Sequence, residues 1–254
     1  MDSLNNLREK VALGQVPGAS RIHLYGVNGA VTTTDETLWD ESTLYTFLTA
    51  ASSSMTISSA SANDTSAGTG ARTITVTGVN GSYAVVSETA TMNGQTGVAL
   101  TGSYLAITNI EVVTAGSTGS NAGIVYVGTG AITTGKPAVV HGLVAATYNK
   151  SSSFIYAVPA NYTLLMYCAC SATRSATSGG LEFSISYQTS GSVLKKLPLL
   201  HYNNTAGFTR NFDVPLVIPS STLVQGLLQS NAGTGPAWGS ADAILVNNTE
   251  ATYW

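Results

Sequence analysis

Apolar and hydroxyl-bearing residues take turns along "ARTITVTGVNGSYAVVSETATMNG", where Ile74 and Val76 alternate with Thr73, Thr75 and Thr77. A period of two marks a strand with one face on a core and the other in water. Asn80-Gly81 tolerates left-handed conformations, so a tight hairpin turn is expected there, with the chain returning through Tyr83 and Val85. "SYLAITNIEVVTAG" and "AGIVYVG" predict two more strands, joined by the Gly, Ser, Thr and Asn run from Ala115 to Gly123. Later, Leu181, Phe183, Ile185 and Tyr187 share one face of "LEFSISYQ" while Glu182, Ser184, Ser186 and Gln188 share the other. Strands also read at "VVHGLVAAT", "SSFIYAV", "NYTLLMYCACSA", "HYNNTAGFTRNFDV", "TLVQGLLQS" and "ADAILVN", between turn clusters such as Pro159-Ala160-Asn161 and Ser178-Gly179-Gly180. Short strands at intervals of about ten residues predict a sandwich or jelly roll. A parallel α/β sheet would need helices between the strands, and no such pattern occurs.

The helical period appears once. Leu4, Leu7 and Val11 recur at i, i+3 and i+7 over residues 3–13, Asp2 or Ser3 can cap the start, and Gly14 and Pro17 end it. So short a helix is marginal alone in water, so its stripe must dock on something. Because Gly14, Pro17 and Gly18 separate it from the first strand, it is expected to act as an arm that reaches a neighbouring subunit through Leu4, Leu7 and Val11. The strand pattern restarts after "GTGAITTGKPAVVHG", residues 128–142, which reads as a joint. The expected organisation is therefore all-β: an N-terminal helical arm (1–19), one β-sandwich module (20–130) and a second, jelly-roll-like β-sandwich (131–254).

Composition narrows the function classes. Only 9% of the 254 residues are charged, against roughly 25% in an average soluble domain, so much of the surface is expected to meet other protein. A net charge of -3 with no basic cluster excludes nucleic acid as a partner, since phosphate binding needs Lys and Arg to replace counterions. No membrane partner is expected, because no apolar run approaches the roughly 18 residues of a span. "MDSLNNLREK" lacks the apolar core of a signal peptide, which implies synthesis in a cytoplasm. Cys168 and Cys170, one residue apart, would form a strained disulfide and are expected to be reduced core residues.

Candidate chemistry is sparse. Gly130, Gly135 and Lys136 match the front of a phosphate-binding loop, but Pro137 stands where the metal-binding hydroxyl should be and no helix follows. No Gly-x-Ser-x-Gly elbow occurs, and His23, His141 and His201 lie in separate strand patterns without a carboxylate beside them. Asp35, Glu36, Asp40 and Glu41 form the acidic cluster; with Glu88, Glu111, Glu182, Asp213 and Asp242 they leave a glycosidase pair open, because such a pair is defined in space. Trp39, Trp238 and Trp254 are scattered, unlike the platforms of a sugar cleft. Arg210 and Asp213 allow an ion pair, and Pro215 and Pro219 mark an edge strand or strand entry. No catalytic residue, cofactor or metal is expected.

The stretches "NDTSAGTGARTITVTGVNGSYAVVSETATMNG" and "EVVTAGSTGSNAGIVYVG" resemble segments of virion structural proteins of tailed bacteriophages, and "AVPANYTLL" with "FDVPLVIPSSTLVQ" is similar to their companion module. Together these stretches cover about half the chain. The resemblance implies a jelly-roll-like particle component assembling as symmetric copies on a capsid, tail or fibre, and it brings no catalytic residues. Combined with the low charge, it points to a decoration or cement protein on a capsid exterior, with itself (as a trimer) and the major capsid protein or other virion proteins as partners. A tail, collar, fibre or baseplate component, or a carbohydrate- or receptor-binding module, are the alternatives.

Overall fold

A computed structural model describes residues 4–173, 180–202 and 207–250. The chain divides into two units, one formed by Met1–Leu38 with Val158–Trp254 and the other by Trp39–Ala157. Helix α1 (Leu4–Ala12) and strands β1 (Ala19–Val31) and β2 (Glu36–Thr37) come first. Next are β3 (Thr56–Ser59), β4 (Ala71–Val79), β5 (Val85–Thr91), β6 (Val98–Ala99), β7 (Ala106–Ala115), β8 (Val125–Thr133) and β9 (Lys136–Val144). The chain closes with β10 (Ile155–Val158), β11 (Tyr162–Thr173), β12 (Leu181–Thr189), β13 (Lys195–Tyr202), β14 (Phe208–Ile218), β15 (Thr222–Ser230) and β16 (Gly235–Asn247).

In the first unit one sheet runs β1-β16-β11-β14 and the other β10-β15-β12-β13, with β2 also paired to β15. Apart from the β12–β13 hairpin and the split position shared by β2 and β10, successive strands cross between the sheets, which is the jelly-roll arrangement. Leu38 N donates to Gly226 O at 2.9 Å and Ser221 N donates to Val158 O at 3.1 Å. The chain thus leaves the unit from β15 and returns to β15: β2 and the end of β10 occupy one strand position, and residues 39–157 are inserted in the middle of it.

Strand β16 lies between β1 and β11, antiparallel to both. Its inward row is small: Ala237, Gly239, Ala241 and Ala243, all buried. The opposite sheet supplies the bulk. A Cβ built on Gly239 would stand 2.7 Å from Leu38 Cδ1 and 3.5 Å from Phe183 Cε2, and both of those side chains are fully buried. Small residues on one sheet therefore make room for large ones on the other, which gives the interior its close packing.

The inserted unit has a four-stranded sheet, β6-β3-β8-β9, and a three-stranded sheet, β5-β4-β7. Ile57, Ile74, Val76, Ile107, Ile110, Val125 and Val127 from the two sheets form one buried cluster with Met55 and Tyr104. On the other face of β4, Thr73, Thr75 and Thr77 pair their hydroxyls with Thr114, Thr89 and Ser87 at 2.6, 2.7 and 3.0 Å. Asp64 knits the loops together. Fully buried, it accepts from Ser59 Oγ and from the amides of Ala71, Ala122 and Gly123 at 2.5 to 3.0 Å, so its acceptor oxygens are satisfied within the loops they join.

Three sequence expectations change. The module boundary at 130/131 and the joint at 128–142 fall inside the β8–β9 hairpin, where Thr133 pairs Lys136 across Thr134-Gly135. Thr134 and Gly135 both have positive φ, the two-residue turn that suits the twist of a hairpin. Gly130, at φ +85°, sits in the register shift between Thr129 and Ile132, so the glycines of the phosphate-loop look-alike serve a bulge and a turn. The hairpin expected at Asn80-Gly81 forms as β4–β5, but its loop spans Asn80 to Ala84. There Asn80 Oδ1 accepts from Ser82 N and Ala84 N, and Tyr83 takes the positive φ.

Because residues 39–157 are contiguous and carry their own core, that fragment alone should give a β-type circular dichroism spectrum and a cooperative melt. Joining Leu38 to Val158 with about five Gly/Ser residues, enough to span the stretch of β15 between their partners at about 3.3 Å per residue, should leave the jelly roll folded by the same two measurements.

Candidate interaction face

The outward row of the β1-β16-β11-β14 sheet is apolar at one end. Ile244 and Val246 of β16 stand there with Leu165 and Tyr167 of β11, and α1 covers them: Val11 is buried against Ile244 and Val246, with Leu7 and Val16 packed beside it. Gly14, at φ +68°, ends the helix in the left-handed conformation, and Gln15 N donates back to Lys10 O at 2.8 Å. The expected arm therefore docks on its own subunit through Leu7 and Val11; the side chain of Leu4 lies outside the described residues. The reason is local. A sheet face carrying Ile244, Val246 and Leu165 needs cover, and the tethered helix reaches it without association entropy.

Further along, the same face turns polar. Arg21 Nη2 and His23 Nδ1 on β1 both meet Asp242 Oδ1 on β16, at 2.8 and 3.0 Å. Burial alone would raise the Asp242 carboxyl, but the bonds from Arg21 and His23 outweigh it and hold the group below its ordinary range. Tyr25 stacks on His23 with ring centroids 6.5 Å apart and also neighbours Trp238. The cysteines are free and half-buried rather than core residues: the register shift between Met166 and Cys168 turns both outward, and Cys170 Sγ lies 2.9 Å from Ser240 Oγ. Burial, then Cys170 and Asp242, push the Cys168 thiol up against the smaller effect of Arg8, so it is held protonated. Arg8 lies over the Tyr167 ring, 4.3 Å from its centroid. Sequence reasoning missed this constellation because its members are more than 200 positions apart and meet only when the first and last strands pair.

The other sequence candidates separate. Asp35 and Glu182 converge on one lysine, Lys196 Nζ, at 2.7 and 3.1 Å. Burial would lower that amine, but its two acceptors raise it. Both carboxylates are thus engaged by the same lysine, and they face it instead of an open cleft between them. Glu36 accepts from Asn28 Nδ2 and Thr32 Oγ1, and Glu41 pairs with Lys136, whose amine stands 5.8 Å from the Tyr126 ring centroid. Arg210 donates to Leu199 O at 2.9 Å and stacks on Phe212 instead of pairing with Asp213. His141 is buried, which lowers its pKa, and its Nε2 lies 3.3 Å from Thr129 Oγ1. Trp39 is buried in a cluster with Tyr45 and Tyr126; Trp254 lies outside the described residues. Among the described residues, no three His, Cys, Asp or Glu side chains gather as a metal site.

No protein-family model matches the chain, and no curated protein matches it. Among solved structures, it aligns with infectious bursal disease virus, Gx strain, over 98% of its own length and 78% of that chain, at 10% identity and a TM-score of 0.28. The T=1 particles derived from infectious bursal virus align over 96% and 75% of the two chains, at 13% identity and a TM-score of 0.26. At this level of similarity the fold assignment rests on the strand order itself.

Val11→Ala removes two buried carbons worth roughly 0.8 kcal/mol each, so chemical denaturation should report a loss of about 1.5 kcal/mol. Asp40 gives a pH signature in the inserted unit. Burial raises its carboxyl from 3.8 to about 6, and its Oδ2 is buried without a hydrogen-bond partner. The folded state therefore binds the extra proton between pH 3.8 and about 6, so stability falls as pH rises through that window and is flat above it. Asp40→Asn should abolish this dependence and raise the melting temperature at pH 7.

Proposed function

We propose that the chain is a non-enzymatic structural component of a tailed-bacteriophage virion, a decoration or cement protein that assembles with copies of itself on the outside of the capsid. The observation that carries this reading is the edge of the jelly roll formed by β14 and the neighbouring β12–β13 turn. Phe208, Val214 and Val217 of β14 are exposed, Val214 to 80%, and Val193 and Leu194 at the turn are exposed as well. An exposed apolar edge beside so few charges fits a surface completed by other protein. The jelly roll is compatible with this role and with a lectin. The exposed Tyr25 beside Trp238 is the aromatic feature that would serve a lectin, whereas Trp39 is only 3% exposed and the five apolar side chains on β14 and at the β12–β13 turn favour contact with protein. Strand β14 is also interrupted: Met166 pairs Leu216 and Cys168 pairs Asn211, leaving residues 212–215 out of register with β11. Such a break limits open-ended strand addition and favours a side-chain-mediated, closed assembly.

Val214→Lys combined with Val217→Lys should leave the circular dichroism spectrum unchanged while shifting the particle mass read by light scattering to the monomer, and should abolish binding to capsid shells in a sedimentation assay. Unchanged self-association and shell binding in the double variant would remove the basis for this reading.

A further inference from the structure

An open pocket of about 340 Å³ lies where α1 meets the polar part of the sheet, bordered by Arg8, Val11, Arg21, Tyr167, Asn211 and Asp242. We propose that it binds an organic acid, a carboxylate carried on an apolar stem, independently of any role in assembly.

The charges favour an anion. Two guanidiniums border the pocket, and its one carboxylate, Asp242, is already bonded to both Arg21 and His23. Arg8 has no carboxylate partner among the described residues, and its contact is with the face of the Tyr167 ring. A guanidinium held over a ring face by its central carbon still has N–H donors to offer, and they match a carboxylate in a bidentate fashion. Asn211, also in the lining, carries an amide donor. Cys168, also on the wall, adds no second negative charge, because burial, with Cys170 and Asp242 beside it, pushes the thiol up. The rest of the lining, Val11, Ala243 and Ile244, is apolar, which suits a hydrocarbon stem and gives inorganic anions nothing to contact. The volume is at the small end for ligand sites, the size of a short-chain acid.

The test is titration of the intact protein with hexanoate, followed by amide NMR shifts at Val11, Ala243 and Ile244, with hexanamide and inorganic phosphate as controls. Hexanoate should give saturable shifts at these residues, and both controls should bind at least about tenfold more weakly, since a hydrogen bond to a charged group contributes more than its neutral counterpart. Arg8→Gln, an exposed substitution that keeps a polar side chain but removes the guanidinium, should weaken hexanoate about tenfold or more while leaving the melting temperature unchanged. Arg8→Lys, which retains the charge but not the fork, should fall between. Hexanamide binding as tightly as hexanoate, phosphate competing equally well, an unaltered affinity in Arg8→Gln, or no saturable shift would each overturn the proposal.

Discussion

The larger unit depends on one strand having two neighbours. β16 is hydrogen-bonded along its length to β1 on one side and β11 on the other, from Ala19 opposite Val246 to Val31 opposite Gly235, and from Tyr162 opposite Asn247 to Thr173 opposite Ala237. That strand also decides what the interior holds. Its row of alanines and Gly239 leaves the depth that Phe183 and Leu38 fill from across the sandwich, so even one added methyl at Gly239 forces a large neighbour to move.

The same strand builds the outer face. Its outward residues run from Trp238 through Ser240 and Asp242 to Ile244 and Val246, so one end is polar and aromatic and the other apolar. The apolar end takes the N-terminal helix, and the polar end gathers Arg21 and His23 from β1 around Asp242. The pocket lies at the seam between these two halves because α1 stops covering the sheet where the apolar residues stop.

Much of the local structure was legible in the sequence. The alternation of threonine with Ile74 and Val76 fixes which face of β4 is wet, and β11, β12 and β15 appear nearly where periodicity puts them, whereas β13, with Lys195, Lys196 and Pro198 in it, carries no such signal. Partnership was not legible. No local window shows that the neighbour of β1 begins at residue 235, and the boundary expected at the glycine-rich stretch falls on a hairpin turn with a bulge. Local turn chemistry misled for a similar reason: Asn80 accepts amides from within the loop, which makes a five-residue loop as well satisfied as the two-residue turn that Asn-Gly suggests. The helical stripe of Leu7 and Val11 was read correctly, while its docking surface, supplied by residues 165 to 246, was out of reach of any local window.

Insertion of residues 39–157 within one strand position imposes an order of events as the chain leaves the ribosome. β1 and β2 emerge before the insert and wait without partners, because β16, which pairs with β1, is made after it. The inserted unit is complete about a hundred residues earlier and folds as a contiguous segment. Its folding shortens the loose chain that joins the two halves of the split strand, which lowers the entropic cost of closing the jelly roll. The insert thus serves as an assembly jig for the unit that carries it.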